Sequence, residues 1–174
     1  IGYFGMLFIL SLYLHGSYGL DARETGFALL PVAISLTVGN VLAGRLQGRL
    51  SPRLLIASGL ALAALSAPLI AGLLVGHAPR LEIVAAFAVF GMGTALSVPP
   101  MISTVLEQVP ESASGVASGL LNALRQTGSL LGVAAASAAA TLAQNLPMAM
   151  WIAAFVTGGA YAAAALVASI GMRF

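Results

Sequence analysis

Between Glu111 and Arg173 the chain carries one charge, Arg125, set in the run "ASGLLNALRQTGSLLG". A soluble fold must wet its whole surface, and a 61-residue stretch with one charge has little to do it with. The rest of the chain agrees. Apolar residues make up 60% and charged residues 7%, against roughly 45–50% and about 25% in an ordinary soluble domain. The sequence therefore reads as a membrane protein. Lipid offers backbone groups no partner, so only helices or a closed barrel can span it. The apolar runs show none of the period-two alternation of barrel strands. The expected fold class is all-α: a polytopic membrane protein of six transmembrane helices in one bundle.

Breaker clusters divide the chain. "HGSYGLDARETG" ends the first span, "GRLQGRLSPR" the second and "GHAPRLE" the third; "EQVPESASG" and "AQNLPM" separate three more. Helices are expected at about 1–15, 25–45, 53–75, 81–106, 113–142 and 147–171. All but the first are long enough to cross. The first run covers only about 22 Å of the ~30 Å hydrocarbon core. It lacks an initiator Met and the features of a secretory signal, which leads to the expectation of a fragment cut inside its first span. Small residues four apart (Gly44 and Gly48, Gly72 and Gly76, Gly115 and Gly119, Gly128 and Gly132) suggest close helix packing.

Orientation follows from arginine placement. Arg45, Arg49 and Arg53 share one loop, and Arg173 falls on the same side if helices alternate. The opposite side has Arg23 and Arg80, each near an acid, Glu24 and Glu82. The positive-inside rule then makes the 45–53 loop and the C-terminus cytoplasmic, in the cell (inner) membrane.

Several function classes are disfavoured. All seven bases are Arg and they form no patch, which leaves a nucleic-acid partner unsupported. With no Cys, thiolate metal sites and cysteine nucleophiles are excluded; no metal or cofactor is expected. His15 and His77 map to the outer loops, whereas "ESASG" maps to the inner side, so a serine–histidine dyad would be split by about a bilayer. An enzyme is not expected.

The lead-in and loop "GNVLAGRLQGRLSPRLL" resembles the short cytoplasmic loop motif of the major facilitator superfamily, with Gly44, Arg49 and Arg53 in matching places. Gly48 stands where that motif has an acid, and Ser51 where it has its second glycine. "LSLYLHGSYGLDARETGFALLPVAISLTVGNVLAGRL" is similar to the opening helix pair of the second half in the fourteen-span drug/proton antiporter branch, and "SASGVASGLLNALRQTGSLLGVA" to the fifth helix of that half. The resemblance covers nearly the whole chain. It implies the C-terminal bundle of an exporter of amphipathic drugs or small organic molecules. That bundle would work by alternating access, with protons as co-substrate and an N-terminal bundle of the same polypeptide as partner. A carrier of another metabolite class and a non-transporting scaffold are the alternatives.

At about 100° per residue, Ser114, Ser118, Asn122, Arg125, Gln126 and Ser129 occupy about one third of the fifth helix. Such a stripe lines a wet cavity or bonds another helix. Six polar positions exceed what interhelical bonding commonly uses, which favours the cavity. On the fourth helix Thr94, Ser97, Met101 and Thr104 share a face, and Pro99 and Pro100 leave carbonyls without donors. They make either a static kink or a hinge. Tyr161, at mid-span, is a further cavity candidate; Trp151 fits an interface belt, and Thr37 and Asn40 fit interhelical bonds. Glu82, Glu107 and Glu111 lie at helix ends, so a proton-carrying carboxylate is expected in the other half.

Overall fold

The computed structural model describes residues 2–171. It contains α1 (Gly2–Tyr18), α2 (Ala22–Leu46), α3 (Pro52–Val75), α4 (Arg80–Glu107), α5 (Ser114–Leu142) and α6 (Leu146–Gly171), with a 3-10 turn at Glu111–Ala113. Arg173, used for orientation, lies outside the described residues. No strand occurs among the described residues.

Local chemistry sets the helix ends. Asp21 and Glu24 form a reciprocal capping box: Asp21 Oδ1 accepts from Glu24 N at 2.8 Å and Glu24 Oε2 accepts from Asp21 N at 3.0 Å. Ser51 caps α3 ahead of Pro52, its hydroxyl accepting from Leu54 N at 3.3 Å. Asn145 does the same for α6 through Met148 N at 2.9 Å. At the other end of α1 the helix runs past His15 to Tyr18 and stops at Gly19, whose φ of 67° is open to glycine without steric cost.

The packing has an internal symmetry. α2 and α3 both pack on α4, α5 and α6 both pack on α1, and α3 packs on α6. Exchanging α1 with α4, α2 with α5 and α3 with α6 maps these pairings onto one another. The α5–α6 pairing has no counterpart of similar extent between α2 and α3, so the correspondence is partial.

Where helices cross inside the bundle, small residues bring backbones together. A methyl built on Gly59 of α3 would stand 2.7 Å from the Gly93 carbonyl oxygen of α4, and one on Gly93 would stand 2.8 Å from the oxygen of Gly59. On the α2–α4 crossing Gly39 lies against Ala95 and Gly91 against Val32 and Ser35. Lipid supplies no hydrophobic drive for helices to associate, so such close approach is what holds them. The glycine pairs expected from four-residue spacing are mostly elsewhere. A methyl on Gly44, Gly48, Gly115 or Gly119 would meet open space, and one on Gly72 would stand 3.5 Å from the Trp151 ring. Of those pairs Gly132 makes a backbone approach, to Gly5. Spacing marks a flat helix face, but the neighbouring helix decides whether the face is used.

Four helices, α2, α3, α4 and α6, are long and apolar enough to cross a membrane. α1 is 17 residues long. α5 has the length and a single charge, so its polar stripe is what lowers its hydropathy. Leu65, Phe155, Leu166 and Val167 point outward, as lipid-facing side chains do. Met6, Leu10, Ile70, Leu74, Phe87, Phe90 and Met150 fill the interior.

Candidate functional site

The α5 stripe lies at the bundle surface. Ser114, Ser118, Asn122, Arg125 and Gln126 are exposed, and Ser129 is half-buried. Only Gly132, Ala136 and Ala139 of this helix are buried, all in its C-terminal half. Two hydroxyl protons are used within the helix region: Ser129 Oγ donates to the Arg125 carbonyl at 2.9 Å, and Ser114 Oγ to the Glu111 carbonyl at 2.8 Å. The Arg125 guanidinium has no hydrogen-bond partner or ion pair among the described residues. All five acids, Asp21, Glu24, Glu82, Glu107 and Glu111, sit at helix ends or in connections. Past the stripe toward the C-terminal end of α5, Gly132, Ala136, Ala153 and Thr157 line a shallow crevice between α5 and α6.

The α4 residues behave differently. Thr94 and Ser97 are buried inside the bundle. Thr94 Oγ1 donates to the Phe90 carbonyl at 3.0 Å and stands 3.3 Å from the Tyr161 hydroxyl, which therefore donates to it. Ser97 Oγ donates to the Thr94 carbonyl at 2.8 Å. Phe90 stacks on Tyr3 at 6.2 Å and meets Tyr161 edge-on at 6.1 Å. Thr94 and Tyr161 thus form a polar tie between α4 and α6 in an aromatic setting. Met101 is half-buried further along α4.

The sequence-predicted set therefore falls into two groups. Arg125, Asn122, Gln126, Ser118 and Ser129 share the outer surface of α5, whereas Thr94, Ser97 and Tyr161 share the interior. Pro100 is buried and Pro99 half-buried within α4, which continues as one helix through both. The carbonyls of Ala95 and Leu96 lose their usual donors there. Pro68 causes a comparable loss in α3, at Ala64, and α6 approaches that carbonyl closely: a methyl on Gly158 would stand 2.9 Å from the Ala64 oxygen. Thr37 and Asn40 are exposed, and Thr37 Oγ1 donates to Ala33 of its own helix at 3.0 Å, so the interhelical role expected for it is not what the structure shows. Trp151 packs on Gly72 and stacks with Phe155 at 5.5 Å. Reasoning from sequence alone missed Tyr3, Phe90 and the glycines at 59, 91 and 93. The run "FGMG" at 90–93 was the available signal.

Residues 1–133 match the sequence profile of the Major Facilitator Superfamily. The chain belongs to the major facilitator superfamily. Within the superfamily it is 29% identical over 164 residues to a methylenomycin A resistance protein of Bacillus subtilis, covering 94% of this chain and 35% of that protein. It is 32% identical over 138 residues to a puromycin resistance protein of Streptomyces alboniger, covering 77% and 27%. A triacylglyceride transporter of Mycolicibacterium hassiacum is 36% identical over 138 residues, covering 73% and 25%. The chain thus spans between a quarter and about a third of the length of these facilitator relatives. No solved structure matches it.

The facilitator-type loop lies at Gln47–Ser51. It is a tight turn in which Arg49 N and Leu50 N both bond the Leu46 carbonyl, at 2.9 and 2.8 Å. Gly44, Arg49 and Arg53 are exposed. The Arg53 guanidinium reaches the Ser169 carbonyl near the end of α6. A cation there meets the negative end of the helix dipole and its orphan carbonyls. The Arg53 contact joins the start of α3 to the end of α6.

Proposed function

We propose that this multi-pass membrane chain is the C-terminal six-helix half, residues 1–174, of a secondary active exporter of amphipathic drugs or other small organic molecules. It works by alternating access against an N-terminal bundle of the same polypeptide, with protons as the coupling ion. The single observation that carries this reading is the uncovered stripe on α5. Five polar side chains, one of them Arg125, face outward from a bundle whose other outward faces are largely aliphatic. Charged residues at membrane depth face a bundle interior or a water-filled cavity, not lipid. A second bundle over this face would convert it into the wall of a central passage.

The antibiotic-resistance relatives support drug export. The triacylglyceride relative favours a second reading, a carrier of a different, lipid-like substrate class. In both readings Arg125, Asn122, Gln126, Ser118 and Ser129 line the passage, with Met101 beyond them. Thr94, Ser97 and Tyr161 stiffen the wall behind it. The orientation that goes with this places the 45–53 loop and the C-terminus in the cytoplasm of a cell (inner) membrane protein.

The test is transport by the full-length polypeptide in energised vesicles. Arg125→Gln should leave insertion and detergent melting near normal while strongly reducing drug efflux, and Arg125→Lys should recover part of it. Lost stability with unchanged efflux per folded molecule would overturn the passage role of the stripe. Absence of efflux from the unaltered protein for antibiotics and dyes, with uptake or flipping of an acylglycerol instead, would establish the second reading.

A further inference from the structure

The side chains of α1 divide between two faces. Gly5, Met6, Ile9, Leu10 and Tyr13 are buried, whereas Phe4, Phe8, Ser11 and His15, at helical spacing, are exposed. Three helices cover the rest of α1. Gly5 meets Gly132 of α5, Gly2 and Gly16 meet Tyr161 and Leu146 of α6, and Tyr3 stacks on Phe90 of α4. The exposed face therefore looks away from α6, out between α4 and α5. The α5 stripe looks the same way. At about 100° per residue, counting from Gly132, Ala135 lies about 60° round toward α6, where it lines the crevice. Ser129, Asn122 and Gln126 lie about 60–120° round the other way, with Arg125 close to the line of Gly132 itself. The aromatic face of α1 and the polar stripe of α5 thus adjoin on one wall.

We propose that Phe4 and Phe8 form an aromatic shelf in the passage, and that the site selects substrates joining a planar aromatic ring to an anionic group. The ring lies on the shelf and the anion at Arg125. Phe4 is 50% exposed and Phe8 37%, so both rings have a face to offer. Phe4 is backed by a chain of rings: it meets Tyr3 edge-on at 5.2 Å, Tyr3 stacks on Phe90 at 6.2 Å, and Phe90 meets Tyr161 edge-on at 6.1 Å. Such backing holds the exposed ring in one pose, so a substrate ring meets a surface already ordered. The spacing follows from the helix crossing. α1 and α5 run the same way, and Gly5 lies beside Gly132. Arg125 stands seven residues inward of Gly132 and Phe4 one residue inward of Gly5, a difference in level of about 9 Å. The arginine side chain covers much of that interval, and a bicyclic aromatic acid spans the remainder. Charge sets the sign. All five acids lie at helix ends or in connections, so Arg125 is the one charge at mid-span among the described residues. In a passage of lowered dielectric it attracts an anionic end and repels a cationic one, and its planar fork matches a carboxylate. Asn122 and Gln126 bring amide donors alongside. This inference rests on the passage role given to the stripe above and names a substrate class for it.

The experiment is equilibrium binding to the purified full-length protein, read by naphthalene fluorescence. The probes are naphthylacetate, the matching naphthylethylamine, and decanoate as a ring-free acid measured by competition. Naphthylacetate should bind at least about tenfold tighter than the amine, and Arg125→Gln should bring the two within about twofold. Phe4→Leu and Phe8→Leu keep apolar bulk and remove the ring. Each should weaken naphthylacetate by about three- to tenfold while leaving decanoate within about twofold. Phe155→Ala, on the outward face of α6, should change neither. Detergent melting checks that each variant is folded, and if Phe4→Leu is not, Phe8→Leu carries the same comparison. Equal affinity for acid and amine in the unaltered protein would overturn the anion preference. Equal losses for naphthylacetate and decanoate in the phenylalanine variants would overturn the shelf. The expected binding selectivity in a protein that exports none of these compounds would refute the export reading and leave the site standing. Export of cationic drugs without binding of the aromatic acid would refute the site and leave the export reading.

Discussion

Gly5 of α1 lies so close to Gly132 of α5 that a methyl group on Gly5 would stand 2.6 Å from the Gly132 carbonyl oxygen. The obstacle is backbone, which cannot rotate away as a side chain can. This crossing fastens the C-terminal half of α5 to the bundle and leaves its N-terminal half uncovered.

Gly5→Val should therefore destabilise the protein by about 1–3 kcal/mol, the range for overpacking, with Gly59→Val at the α3–α4 crossing behaving likewise. Gly119→Ala, which meets open space, should be neutral. Detergent melting followed by intrinsic fluorescence would show it. Equal tolerance at Gly5 and Gly119 would mean that α1 and α5 do not cross as described.

The Thr94–Tyr161 tie should be modest in strength. Tyr161→Phe and Thr94→Val are each expected to cost about 0.6 kcal/mol, typical of side-chain hydrogen bonds between membrane helices. The double variant should cost less than the sum of the two, because both remove one bond. Additive losses would show that the two hydroxyls do not interact.

Orientation can be read with thiols. An impermeant reagent added outside intact cells should label Ala78→Cys and leave Ser51→Cys untouched until the membrane is opened. The reverse pattern would invert the topology argued from Arg45, Arg49 and Arg53.

A hinge at Pro99 and Pro100, as opposed to a static kink, predicts a split between stability and function. Pro99→Ala and Pro100→Ala return donors to the Ala95 and Leu96 carbonyls, so melting should hold or rise while transport by the full-length protein slows. If both variants transport at the normal rate, the prolines make only a static feature of α4.

Helix ends were legible because short-range chemistry writes them. Asp21 with Glu24, Ser51 with Pro52, and Asn145 with Pro147 are caps that need no tertiary partner, and the observed bounds fall within about three residues of the expected ones. Faces were legible only relative to one another. A helical wheel groups Ser118 with Arg125, and Thr94 with Ser97, but it has no origin. It could not tell that the first pair looks out of the bundle and the second into it. Glycine spacing failed for a related reason. In a chain this rich in Gly, Ala and Ser, Gly115 and Gly119 look no different from Gly59 and Gly93 until a neighbouring helix chooses between them.

The low apolarity of α5 has a consequence for how the chain is made. A ribosome delivers helices to the membrane in order, and an arginine at the centre of a span opposes entry by about 2.5–3.5 kcal/mol on insertion scales. α5 presents that arginine together with five other polar side chains, whereas α6 follows after only residues 143–145 and is strongly apolar. α5 should therefore wait at the interface and enter as a hairpin with α6, a delay of a few seconds at about 5–20 residues per second. Nascent chains halted after Asn145 should leave α5 accessible to a glycosylation or protease reporter, and chains extended through α6 should not. The helix made next, α6, would then be what commits the Arg125-bearing one to the bilayer.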